Sequence, residues 1–184
     1  MTGIDDTIAA LVARIETLEA EADIRRVQSR YMFLCDTPCP EPVADDAERI
    51  ELILDLYTDD AVWEGVGDHY DGQFGRAEGK QAIREHFQRF WGEKRDPALL
   101  LNAHYLTSEQ IHVDGDRATG QWIHMQPWLF SDGTALLRSS RLNNAFGKDN
   151  GRWRVTRTRT ENVFIAPLRN NFAESLPSAS VLMR

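Results

Sequence analysis

Apolar residues recur at alternating spacings of four and three from the start of the chain, at Ile4, Ile8, Leu11, Ile15, Leu18 and Ala22. A period near 3.5 residues predicts a helix with one apolar seam. The stripe then shifts phase to Ile24, Val27, Tyr31 and Leu34. The early turns are therefore expected to pack on something other than what the later turns meet, and a neighbouring subunit fits that need. Prolines at 38, 40 and 42 stop the helix just past Asp36, since proline lacks a backbone donor and disfavours helical geometry before it. A second helix is predicted over about 44–57, with Ile50, Ile53, Leu54 and Tyr57 on one side. Thr58-Asp59-Asp60 ends it, and Ala61-Val62-Trp63-Glu64 reads as a short strand. The stretch from Gly65 to Gly79 carries five glycines and reads as a loop or irregular hairpin. A third helix follows over about 80–92, with Ile83, Phe87, Phe90 and Trp91 on one buried face.

The second half changes period. Asp114-Gly115-Asp116, Ser131-Asp132-Gly133 and Asp149-Asn150-Gly151 are turn sequences. They divide strands expected at about 104–113, 117–130, 134–147 and 152–166. Antiparallel strands of this length twist and curl. About three helices ahead of a curled antiparallel sheet predict an α+β fold, a cone whose concave face the helices cap. Such a cone holds a ready-made apolar pocket. One domain over 1–184 is expected, with a helical extension over about 1–22 and a tail after Pro167.

Composition narrows the function. At 184 residues and 42% hydrophobic, the chain is able to bury a sizeable core. A formal net charge of -8 argues against nucleic acid as a partner. Arg152, Arg154, Arg157 and Arg159 cluster late, but on a strand they divide between two faces. No stretch approaches the roughly 20 apolar residues of a membrane span. The N-terminus does not read as a signal peptide, and a cytoplasmic location is expected. Cys35 and Cys39 lie four apart. A disulfide, half of a metal site and plain reduced thiols are all compatible with them, with reduced thiols preferred.

The candidate chemistry centres on Asp36 and His104. Asp36 closes the first long helix, and His104 opens the first long strand in Leu101-Asn102-Ala103-His104-Tyr105-Leu106. A carboxylate that orients an imidazole makes a general base near neutral pH. The alternative is a structural hydrogen bond. His69, His86 and His112 have no acidic partner at metal-ligand spacing and read as surface residues, and no zinc pattern is present.

In order and spacing the segments resemble a known family. They are Arg30-Tyr31 with Asp36, Leu56-Tyr57-Thr58-Asp59-Asp60-Ala61-Val62-Trp63, Gly79-Lys80 with Ile83 and Phe87, His104-Tyr105-Leu106-Thr107-Ser108, Ile111-His112-Val113-Asp114-Gly115 and Gly151-Arg152-Trp153-Arg154-Val155. Over roughly residues 10–165 the chain is similar to the SnoaL-like branch of the nuclear-transport-factor-2-like superfamily. That branch includes scytalone dehydratase, bile acid 7α-dehydratase, hexachlorocyclohexane dehydrochlorinase and polyketide cyclases. The superfamily also holds noncatalytic members and the β subunits of ring-hydroxylating dioxygenases. The resemblance implies an Asp–His dyad at Asp36 and His104. It brings Tyr31 in by its spacing from Asp36, His124 as a second histidine, and Asn143 or Asn144 as a pocket amide. It also suggests Arg157 or Arg159 as a late-strand arginine, and Trp63 where scytalone dehydratase has a pocket tyrosine.

These groups need no metal and no organic cofactor. His104, held in one tautomer by Asp36, would take a proton from carbon, while Tyr31 or His124 donates to the departing oxygen. Tyr31 at helical spacing reads equally as core. Trp63, Trp122, Trp128 and Phe146, if inward, favour a small apolar, aromatic or polycyclic substrate. The expected activity is a dehydratase-type lyase. A C–C lyase releasing formaldehyde, an isomerase or cyclase, and a noncatalytic ligand-binding or subunit module are the alternatives. The early seam and Phe172, Leu176, Val181 and Leu182 predict a homodimer or homotrimer.

Overall fold

The computed structural model describes residues 2–67, 70, 74–92, 96–169 and 174. His69 and the tail positions Phe172, Leu176, Val181 and Leu182 lie outside the described residues. Helix α1 (Thr2–Cys35) runs unbroken through the phase shift. Its inner face, from Ala20 through Ile24, Gln28 and Tyr31 to Leu34, is buried, whereas Ile4, Ile8, Leu11, Ile15 and Leu18 are exposed. Helix α2 (Asp46–Asp55) starts at Asp45, whose side chain accepts from the Glu48 N–H. Thr58-Asp59-Asp60 does not merely end this helix. It lies inside strand β1 (Tyr57–Val66), longer than the sequence suggests. After the short strand β2 (Arg76–Glu78) comes helix α3 (Gly79–Gly92).

The remaining strands are β3 (Leu99–Asn102), β4 (Tyr105–Asp114), β5 (Arg117–Phe130), β6 (Ala135–Asp149) and β7 (Arg152–Pro167). They form one sheet in the order β2-β1-β7-β6-β5-β3, with β4 also paired to β5. The fold is α+β as expected, but the sheet is mixed rather than antiparallel throughout, because β1 runs parallel beside β7. The three helices fill the concave side of this curled half-barrel, and α1, α2 and α3 share one core with it. Both cysteines are free thiols. No helix among the described residues is long and apolar enough to cross a membrane.

One irregularity places the site. β5 pairs along one edge first with β4, up to Tyr105↔Met125, and then with β3, from Asn102↔Trp128. The change of partner falls opposite Gln126 and Pro127, where proline has no N–H to offer a ladder. Ala103 and His104 occupy the gap, outside both strands.

Candidate active site

Asp36 is fixed by the chain on both sides. Thr37 and Asn102 exchange backbone hydrogen bonds of 2.7 and 2.8 Å, which fasten the end of α1 to the end of β3. Arg49, buried beneath the helix end, donates to the carbonyls of Leu34 and Asp36 and lies 4.2 Å over the Trp91 ring. Those carbonyls lack helical partners, so the guanidinium caps the helix. In the gap opposite, the His104 N–H donates to Asp36 Oδ1 at 2.9 Å, and the ring Nδ1 meets the same oxygen at 2.7 Å. The break in the ladder thus frees a backbone donor that holds the carboxylate beneath the imidazole.

The tautomer follows from the neighbouring amides. Asn102 Nδ2 donates to the Cys35 carbonyl at 3.3 Å, which turns its Oδ1 toward Gln126. Gln126 Nε2 donates to that Oδ1 at 2.6 Å and lies 2.8 Å from His104 Nε2. A carboxylate only accepts, so Nδ1 carries the ring proton, and Nε2 accepts the second amide hydrogen of Gln126. The chain from Cys35 to Gln126 thereby selects the Nδ1–H tautomer of His104. Gln126→Glu reverses the sense of this contact, since a carboxylate beside Nε2 favours imidazolium. The acid limb of the kcat/KM profile is expected to move up by about one pH unit. An unshifted profile in a folded variant would remove Gln126 from the relay.

These groups open on one pocket between the helices and the sheet. Met32, Trp63, Phe74, Phe87, Trp91 and Trp128 give it aromatic and apolar walls. Tyr31 lines it, and its hydroxyl accepts from Trp63 Nε1 at 2.9 Å. Burial pushes that phenol well above its usual range, so it remains a proton donor. His124 is 6% exposed, its ring 5.5 Å from that of His104. Among the described residues neither of its nitrogens has a partner. Burial, then the neighbouring His104 and Arg138, press its pKa down to about 3, so it enters the pocket as a neutral donor and acceptor. Cys35 also lines the wall, and burial raises its thiol to about 12, far from a nucleophilic thiolate.

The structure brings Asp36, His104, Tyr31, His124, Trp63 and Trp128 together, and corrects the other expectations. Trp122 is buried elsewhere, donating to Glu109 at 3.1 Å and packing on Phe146, and neither ring lines this pocket. Asn144 is also buried away from it, donating to Gln28 at 2.8 Å and so tying α1 to β6. Asn143 alternates onto the opposite face. Arg157 and Arg159 lie on the outer side, where Arg157 Nε donates to Glu64 at 2.8 Å and Arg159 approaches the same carboxylate at 3.8 Å.

His86, Gln126 and Arg138 are among the pocket residues that escaped the sequence reading. His86 is buried against Trp63, with ring centroids 4.1 Å apart, and burial followed by Arg89 lowers it to about 4. Its place three residues after buried Ile83 was the available signal. Gln126 shares the inward parity of His124 and Trp128. Arg138 stands directly across the ladder from Gln126 and shares inward parity with Leu142.

The sequence profile of the SnoaL-like domain matches residues 16–159. No curated protein matches the sequence. Among solved structures, hexachlorocyclohexane dehydrochlorinase LinA type 2 superposes with a TM-score of 0.66 at 17% identity, covering 85% of this chain and 93% of that one. A nuclear-transport-factor-2-like protein of cystatin-like fold from Novosphingobium aromaticivorans gives 0.59 at 21% identity, covering 95% of each. A provisionally assigned scytalone dehydratase from the same organism gives 0.63 at 13% identity, covering 83% of this chain and 90% of that one. At such identities the likeness establishes the fold alone.

Proposed function

Since the chain belongs to the SnoaL-like domain family, we propose that it is a cofactor-independent lyase that eliminates water from a small aromatic or polycyclic substrate. The observation that carries this reading is the 2.7 Å contact between Asp36 and His104 Nδ1 at the wall of an aromatic pocket. His104 Nε2 takes the proton from the carbon beside the departing group as Gln126 withdraws. The C–H electron pair becomes the new C=C bond as the C–O bond breaks. The leaving hydroxide takes a proton from Tyr31 and departs as water, and the proton on His104 then restores Tyr31. Asp36 stabilises the imidazolium formed in between.

The test is a mass-resolved screen of aromatic β-hydroxy ketones, comparing the protein with His104→Ala. Loss of one water that depends on His104 supports the dehydratase. Release of formaldehyde from a hydroxymethyl substrate would instead make the same base a C–C lyase. Absence of any turnover across the panel would favour a binding module or oligomeric subunit.

We also propose a homo-oligomer. Ile4, Ile8, Leu11, Ile15 and Leu18 are between 51% and 69% exposed, a continuous apolar stripe that soluble monomers rarely leave open. Tyr105 and Val163, at 60% and 49%, are further exposed apolar groups. Sedimentation at micromolar concentration is expected to show a species larger than the 21.0 kDa chain, and the double variant Ile8→Asp/Ile15→Asp is expected to reduce it toward monomer. A wild-type protein that sediments only as the single chain refutes the proposal.

A further inference from the structure

Arg138 is 2% exposed. Its guanidinium lies 4.1 Å over the Trp128 ring and 5.6 Å from the Tyr70 ring. Nη2 donates to the Tyr70 hydroxyl at 3.3 Å, and that hydroxyl in turn meets Ser140 Oγ at 2.8 Å. Nε has no partner. Among the described residues no carboxylate lies within 4.0 Å of this cation. The carboxylate of the dyad, Asp36, has one oxygen committed to both the ring and the backbone of His104.

Arginine does not shed its proton in proteins. A buried charge without a counter-ion is costly, because the solvation it gives up is not repaid. Folding has nonetheless placed this one in the pocket wall beside His124, whose two nitrogens are equally unpartnered. Burial works against the charged form of Arg138. Trp128 and Tyr70 supply ring faces that attract a cation, but no opposite charge. Arg138 and His124 are diagonal neighbours across the β5–β6 ladder, a cation whose Nε–H has no partner among the described residues and a neutral imidazole, and an anion would satisfy them together.

We propose that Arg138 anchors a carboxylate of the substrate, with His124 as its second donor, so that the pocket takes an aromatic carboxylate rather than a neutral aromatic. This rests on the pocket being the substrate site, and it adds the substrate's charge to that reading. The planar fork of a guanidinium matches a carboxylate in shape as well as in sign. The aromatic walls on the opposite sides accept the ring to which the carboxylate is attached.

Isothermal titration of the full-length protein with 2-naphthoate and with its neutral analogue 2-naphthamide tests this. Wild type is expected to bind naphthoate at least about tenfold more tightly, and Arg138→Met to lose that preference, since a charge-assisted hydrogen bond is roughly twice as strong as a neutral one. Unliganded Arg138→Met is expected to melt at or above the wild-type temperature, because it removes an unpaired buried charge. Arg138→Lys retains part of the preference. His104→Ala retains all of it, so a failed lyase assignment leaves this result standing. Equal affinity of wild type for both ligands overturns the proposal, and so does a preference that survives in Arg138→Met. An Arg138→Met variant that melts well below wild type makes the cation structural and overturns it as well.

Discussion

His104→Ala is expected to lower turnover by roughly 10²–10⁴-fold with the melting temperature little changed, because removing a positioned general base forfeits about that factor. The side chain is 9% exposed and sits in the gap between two strands rather than within either, so its loss opens the pocket without unpairing a ladder. Asp36→Asn is expected to lose a comparable factor for a different reason. The amide oxygen still accepts from the His104 N–H, but the charge that stabilises imidazolium is gone, and the amide nitrogen, if turned inward, selects the wrong tautomer. Asp36→Asn should therefore depress kcat more than it raises KM. Steady-state kinetics on any substrate found in the screen measure both. Near-normal turnover in His104→Ala would sink the dyad. His124 is a poor replacement, since its environment holds its pKa near 3 and makes it a weak base.

The parts of the site that the sequence made legible are those set by element ends. Asp36 follows the last residue of α1 because Pro38 permits no further turn. His104 lies close to the start of β4, and their meeting needs only the Thr37–Asn102 bridge. The strand boundaries were readable from the Gly-containing turns for the same reason, since local turn chemistry fixes them. Depth along the cone was not readable. Trp122, His124, Gln126 and Trp128 all have inward parity on β5, and parity does not say which of them faces empty space. That depends on what fills the cone from β6 and α1, a non-local matter.

A second failure has a local cause with a distant consequence. Trp153 and Val155 are buried on β7, and strict alternation from them would carry Arg157 and Arg159 inward too. The ladder with β6 instead runs Phe146↔Val155 and then Ala145↔Arg157, so one extra residue intervenes and parity reverses. From there Thr158 and Thr160 face inward and the arginines turn out to Glu64. A bulge of this kind exchanges the faces of everything beyond it. Nothing in Thr156 or its neighbours announces it. The inward arginine therefore comes from Arg138 on β6.

Gly120→Ala is expected to be the most damaging single methyl in the described structure. A Cβ at this position would stand 2.2 and 2.4 Å from the Cη2 and Cζ3 atoms of Trp122, and 3.2 Å from Phe146. Trp122 lies flat across the glycine because its indole N–H reaches Glu109, which Arg25 also holds, and because Phe146 meets it at 78°. Moving the ring would give up the bond to Glu109 or the contact with Phe146. Overpacking a closed site costs about 1–3 kcal/mol and sometimes more, and this overlap belongs at the upper end. The loss corresponds to a fall in melting temperature on the order of 10 °C for a chain of this size. Gly3→Ala, whose added methyl meets nothing within 4 Å, is the control and should leave stability unchanged or slightly raised. Trp122→Leu combined with Gly120→Ala should recover part of the loss by vacating the space. Because Trp122 does not line the pocket, whatever fraction of Gly120→Ala folds is expected to keep its KM. A well-folded Gly120→Ala would mean that the ring lies elsewhere, and a large change in KM alone would return Trp122 to the substrate wall.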